Sequence, residues 1–169
     1  MTSIAKPSTV QRMNAQASEP TDTPAVIVRC QNDPTTRIRF SDRYFPDGFG
    51  TGFTVDLHAD GLQARLDSVV IWVWGPEPLA DFLDKLAADF RGWEGERTWS
   101  THHLALRAVF RAGGHVGLTW TLQPWTTRDD SWEASATTWL EGGEQMTALA
   151  AEVRRFLDRG NAPGVPACS

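Results

Sequence analysis

A chain of 169 residues carries sixteen basic against twenty-one acidic side chains, a net charge of −5, and is 41% hydrophobic. A single domain of this size buries about 70% of its extended surface, so its fold needs neither a metal nor a disulfide staple. The acidic balance excludes a general nucleic-acid or anionic-membrane binder, and no run of about 18 apolar residues is present to span a bilayer.

Residues 1–24 are mostly Ser, Thr, Pro, Ala, Gln and Asn without apolar periodicity, and read as a disordered tail ahead of a single α+β domain at 25–160. No cationic segment followed by an apolar stretch opens the chain. The expectation is therefore no secretory signal, a cytoplasmic location, and free thiols at Cys30 and Cys168. Strands are expected near 25–31 and 36–41. Gly48-Phe49-Gly50-Thr51-Gly52 leads into a strand, not a helix N-terminus, so it lacks the dipole for phosphate capture and reads as a loop. Phe53, Val55 and Leu57 alternate with polar residues, as do Leu62, Ala64 and Leu66. A two-residue turn at Asp60-Gly61 pairs Leu57 with Ala64 and Val55 with Leu66, and sets Asp56 opposite Arg65. Val69 to Trp74 is apolar on both faces, which predicts a central strand or one covered twice.

Leu79, Phe82, Leu83, Leu86, Ala87 and Phe90 form one stripe at helical spacing, predicting a helix near 78–91 stopped by Gly92. The segment Arg91-Gly92-Trp93-Glu94-Gly95-Glu96-Arg97-Thr98-Trp99 follows, leading into a strand near 96–101. It has two readings. One is a helix-to-strand corner locked by Trp93 and Trp99, with Arg91 and Arg97 paired to Glu94 and Glu96 or stacked on the indoles. The other is an aromatic and arginine recognition surface. At Gly113-Gly114 a two-residue loop would oppose Phe110 to Gly117 and mix the faces. A three-residue loop instead pairs Phe110 with Val116, Ala108 with Leu118 and Leu106 with Trp120. The next strand pairs Leu122 with Ala134, Trp120 with Ala136 and Val116 with Leu140, across a loop from Trp125 to Ser131. Met146, Leu149, Ala150, Val153, Phe156 and Leu157 predict a second helix near 143–159. Arg154, Arg155 and Arg159 complement its dipole, Gly160 stops it, and 161–169 reads as a C-terminal tail. Four strands, a helix, four strands and a helix predict a mainly antiparallel sheet of about eight strands, with both amphipathic helices packed on one sheet face.

The motifs of zinc hydrolases, thiol redox sites, serine hydrolases and phosphate-binding loops are absent. His58 and His115 fall on outward strand positions and His102 and His103 point apart, so their spacing assembles no zinc site. Nothing positions a nucleophile beside Glu94 or Glu96. No catalytic residue, metal or cofactor is assigned. The outer face of the second sheet half is the distinctive surface. There the registers oppose Arg107 to Thr119, Thr119 to Thr137, Thr121 to Ser135, Arg111 to His115 and Trp139 to Gly117. Arg107 faces no acid across the hairpin. An indole among Arg, Ser and Thr suits partner or ligand binding, unless a loop or the N-terminal segment covers Trp139. The candidate binding residues are thus Arg107, Trp139, His115, Thr119 and Arg111, with Trp93, Arg97 and Trp99 of the corner.

The pattern Gly-Trp-x-Gly-x-Arg-x-Trp at 92–99, Gly114-His115-Val116 in a hairpin and a Trp-rich final strand resembles an uncharacterised bacterial family of unknown function, over residues 25–160. That resemblance implies no established activity, cofactor or catalytic residue. In size and acidity the domain is also similar to immunity proteins that neutralise a toxin. Two functions are expected on this basis. One is a non-enzymatic interaction module engaging a protein. The other is a small-molecule-binding protein or enzyme with a cleft lined by Arg107, His115, Thr119 and Trp139. A flat, open face favours the first and a deep pocket the second. The oligomeric state is left open.

Overall fold

The computed structural model describes residues 24–75, 77–124 and 131–159. Among them, eight strands and two helices follow in the expected order: β1 (Val26–Arg29), β2 (Arg37–Tyr44), β3 (Gly50–Ala59), β4 (Leu62–Trp72), α1 (Leu79–Ala88), β5 (Glu96–Ser100), β6 (Leu104–Arg111), β7 (His115–Leu122), β8 (Ala134–Glu141) and α2 (Glu144–Leu157). Neighbouring strands pair antiparallel, in two four-stranded sheets, β1-β2-β3-β4 and β5-β6-β7-β8. The chain crosses between the sheets through α1. Their other edges, β1 and β8, meet where Gln31 N–H donates to the Trp139 carbonyl (2.9 Å). Nearly all of the expected tails and of the Trp125–Ser131 loop, with Gly160 and Cys168, lies outside the described residues.

The hairpin registers follow the side-chain pattern. Leu57 pairs with Ala64, Val55 with Leu66 and Asp56 with Arg65, whose side chains form an ion pair at 3.1 Å. The second hairpin uses the three-residue loop, with Gly113 and Gly114 both at positive φ, and pairs Phe110 with Val116 and Leu106 with Trp120. β8 continues the register, Trp120 against Ala136 and Val116 against Leu140. Faces that must stay apolar together leave no other alignment.

The inner faces of both sheets and the stripes of both helices share one core. Phe156 of α2 lies 5.6 Å from Phe53 and 6.2 Å from Phe40, and Phe40 meets Trp120 edge-on at 5.6 Å, so β2, β3, β7 and α2 converge on one aromatic cluster. Arg154 ties the helices by reaching Asp81 (2.8 Å) and Asp84 of α1. Arg43 of β2 caps the end of α2, donating to Phe156 O (2.6 Å) and, just past the helix, to Asp158 O (2.8 Å). Arg159, expected in that role, donates instead to Gly50 O. α1 ends at Asp89, earlier than predicted. Phe90 therefore leaves the stripe and is 55% exposed, while Gly92 N–H closes a turn onto Asp89 O.

β4 corrects one expectation. It is an edge strand, not a central or doubly covered one. Phe53 pairs with Val69 and Val55 with Leu66, so three steps on β4 match two on β3. This bulge puts Leu66 and Val69 on the same inner face and sends Val70 and Trp72 outward.

Candidate functional site

Arg107, Arg111, His115, Thr119 and Trp139 share one outer face of the β5–β8 sheet, whereas Arg97 and Trp99 of β5 fall on the other. One row runs Thr98, Arg107, Thr119, Thr137; the next runs Glu96, Val109, Gly117, Trp139; Arg111, His115 and Glu141 form a third. Thr119 and Thr137 are joined hydroxyl to hydroxyl at 2.8 Å. The Trp139 ring lies over Gly117, where a Cβ would stand 2.6 Å from it, and the Arg111 guanidinium stacks 4.1 Å from its centre. A glycine is required there because the ring occupies the space of a side chain.

Arg107 is not without an acid. Glu96 of β5 holds it at 3.2 Å, because a strand has two neighbours and the β6–β7 register shows only one of them. Both side chains are half-exposed, and pairs of that kind contribute about 0–1 kcal/mol. Arg107→Ala should therefore shift stability by no more than about 1 kcal/mol, read as the urea midpoint. Five clefts among the described residues are lined by other side chains. Arg107, His115, Thr119 and Trp139 stand together on the outer face of the sheet.

The Trp93–Trp99 segment is a locked corner. Trp99 is 4% exposed, lies in the core, and donates its indole N–H to the Glu77 carbonyl ahead of α1. It has no surface to offer a partner. Trp93 packs on Phe110 (5.3 Å), with Arg97 stacked 4.7 Å from the centre of its ring. Arg97 pairs with Asp89 at 2.6 Å, not with Glu94 or Glu96, and Arg91 lies against Phe90. These contacts fasten the end of α1 to β5 and β6, leaving Trp93 and Arg97 half-buried.

A further surface, absent from the sequence expectations, occupies the outer face of the β1–β4 sheet. Tyr44 covers Gly52 and Trp72 covers Gly50; a Cβ at these positions would stand 2.3 Å and 2.9 Å from the rings. Gly50 and Gly52, expected in a loop, are strand residues whose missing side chains admit aromatic rings. Trp74 lies nearly parallel to Trp72, 5.7 Å between ring centres at 7°, and Phe49 meets Trp74 at 5.0 Å. Val73 and Trp74 are 69% and 65% exposed. Beside this ledge, a cleft of about 370 Å³ runs from Val70, Trp72 and Trp74 to Ser100, Thr101 and His102 at the end of β5. The signal for the ledge was present as the odd spacing of Leu66 and Val69, which no unbroken strand can place on one face.

A family model described as a family of unknown function matches residues 29–160. No curated protein and no solved structure matches the chain.

Proposed function

The chain belongs to the DUF6228 family of unknown function; on that premise we propose, from its geometry, that it is a protein-interaction module anchored by the aromatic ledge. The observation that carries this is the stack of Phe49, Trp74 and Trp72 on the surface, continuous with exposed Val73. Exposed apolar patches on folded domains mark contact sites, and Trp is prominent among the residues that dominate binding energy. Rings already held against one another lose little side-chain freedom on association. The Arg111–Trp139 stack on the other sheet is a second anchor in this proposal, on the flat kind of face that suits a protein partner. Size and acidity favour an immunity-like role in the cytoplasm, with a toxin as partner.

Trp74→Ala tests it. With the ring mostly in solvent, stability should stay within about 1 kcal/mol of the parent by thermal melting. Affinity for the partner recovered from the native host should fall by about 2 kcal/mol or more. A variant that melts and binds like the parent removes the ledge from the interface.

The cleft beside Trp72 favours a second reading, a small planar ligand stacked on the indoles and hydrogen-bonded by Ser100, Thr101 or His102. A compound that raises the melting temperature of the parent but not of Trp72→Ala would select it.

A further inference from the structure

The edge of β1 not paired with β2, tied to β8 only at its end, lies apart from the ledge with arginines beside it. The Cys30 N–H points to β2, donating to Thr36 O (3.0 Å), while the Gln31 N–H points the opposite way, to Trp139 O. Alternation along an extended strand turns the main-chain groups of Arg29 and Ile27 to the same side as Gln31, away from β2. Neither has a main-chain partner on that side among the described residues. Residues 27–31 form one wall of a groove of about 320 Å³ whose other wall is α2. Five consecutive residues, from both faces of the strand, line it, so the groove follows the strand edge. Leu140, Ala148 and Leu149 give it an apolar side, and Gln145 and Glu152 complete the α2 wall, so only the outer side, beside Arg29, suits carboxylates.

The outer face next to this edge is basic. Arg29 and Arg37 stand directly opposite each other across β1 and β2, Arg37 faces His58 on β3, and Arg39 follows two residues on. Like charges directly opposed destabilise a sheet. Arg65, on the same sheet, is surrounded by Asp42, Asp56 and Asp67. Arg29, Arg37 and Arg39 have no such ion pair among the described residues, and Asp56, opposite Arg39, is held by Arg65. In a chain of net charge −5, three arginines left without acids on adjacent strands are placed for an acid from outside.

We propose that an extended acidic segment of a partner protein adds as a strand to the edge of β1, in the groove against α2. Its main chain pairs with Ile27 and Arg29. Its outward side chains carry carboxylates to Arg29 and Arg37, and the alternate ones, small and apolar, face Leu140 and Leu149. Strand addition gives affinity through the main chain and specificity through alternate side chains. A nucleic acid would use the arginines but not the strand edge. The proposal rests on the domain being an interaction module, but not on the ledge.

The test uses the full chain and a fluorescein-labelled octapeptide of alternating glutamate and valine, followed by anisotropy and by amide hydrogen exchange. The peptide should bind, protect the Ile27 and Arg29 amides, and bind less tightly as salt is added. Combining Arg29→Ala with Arg37→Ala should weaken binding about tenfold or more, since charge-assisted contacts are lost. That variant relieves a repulsion, so it stays folded. Trp74→Ala should bind the peptide like the parent, which separates this site from the ledge. Several results would overturn the proposal: no binding or no protection at Ile27 and Arg29, equal binding by a peptide N-methylated at alternate amides, or loss of binding in Trp74→Ala. It is also overturned if duplex DNA takes the arginines while the peptide does not bind, or if sedimentation shows a second copy seated on β1.

Discussion

Trp120→Ala should destabilise the domain by about 3–5 kcal/mol, the range for deleting a fully buried Trp. The ring is wholly buried at the middle of β7, between Leu106 and Ala136 in register, and meets Phe40 of the other sheet edge-on. Its removal empties the place where the two sheets converge, and the small Ala136 beside it cannot fill the space. A second loss adds to the cavity. The indole N–H donates to Thr138 Oγ1 at 3.1 Å, and Thr138 is itself fully buried. Among the described residues its hydroxyl then keeps only the long contact to Leu118 O, and under-satisfied buried polar groups cost about 1–3 kcal/mol. Urea denaturation should show a lower midpoint with an unchanged slope. Trp120→Phe, which keeps most of the volume but not the N–H, should fall between parent and alanine variant. A midpoint unmoved by Trp120→Ala would mean that the ring does not bridge the sheets.

Gly92→Ala should destabilise by about 2–5 kcal/mol, from two separate causes. Gly92 has φ +109°, a region that L side chains rarely adopt, and a Cβ there would stand 2.6 Å from the Phe110 ring. Left-handed backbone costs a non-glycine residue about 1–2 kcal/mol, and forcing an extra carbon into packed surroundings a further 1–3, roughly. Phe110 cannot simply retreat, since Trp93 packs against it at 5.3 Å. Gly95, three residues on, is the built-in comparison. It also has positive φ, but a Cβ there meets open space, so Gly95→Ala should carry only the backbone part. Equal losses for the two variants in parallel denaturation curves would show that the Phe110 contact does not constrain the corner.

Much of the architecture was legible because hairpin register is a local matter. Leu57 with Ala64 and Leu106 with Trp120 follow from the two-residue period and the turn length alone, since a slip of one residue turns every apolar side chain to water. The helical stripes were legible for the same reason, with spacing that repeats every few residues. The predicted binding residues were likewise placed on one face correctly where a hairpin related them, as for Arg111, His115, Thr119 and Trp139. Errors begin where a second neighbour enters. Arg107 acquires Glu96 from β5, α2 takes its C-terminal donor from Arg43, and Phe90 leaves the stripe because α1 turns at Asp89.

By itself, then, the sequence determined both helices, most of the strands, and the registers and inward faces of the Asp60-Gly61 and Gly113-Gly114 hairpins and of β8, all set by contacts between residues near in the chain. Only the tertiary structure decided that eight strands form two sheets, that β4 and β1 are edges, and that Trp72 and Trp74 face solvent. An apolar strand reads the same at an edge as at the centre, because the difference lies in which distant strand stands beside it. The ledge and the arginine row are products of that placement: Trp72 needs Gly50 of β3 beneath it, and Arg29 meets Arg37 only when β1 and β2 pair.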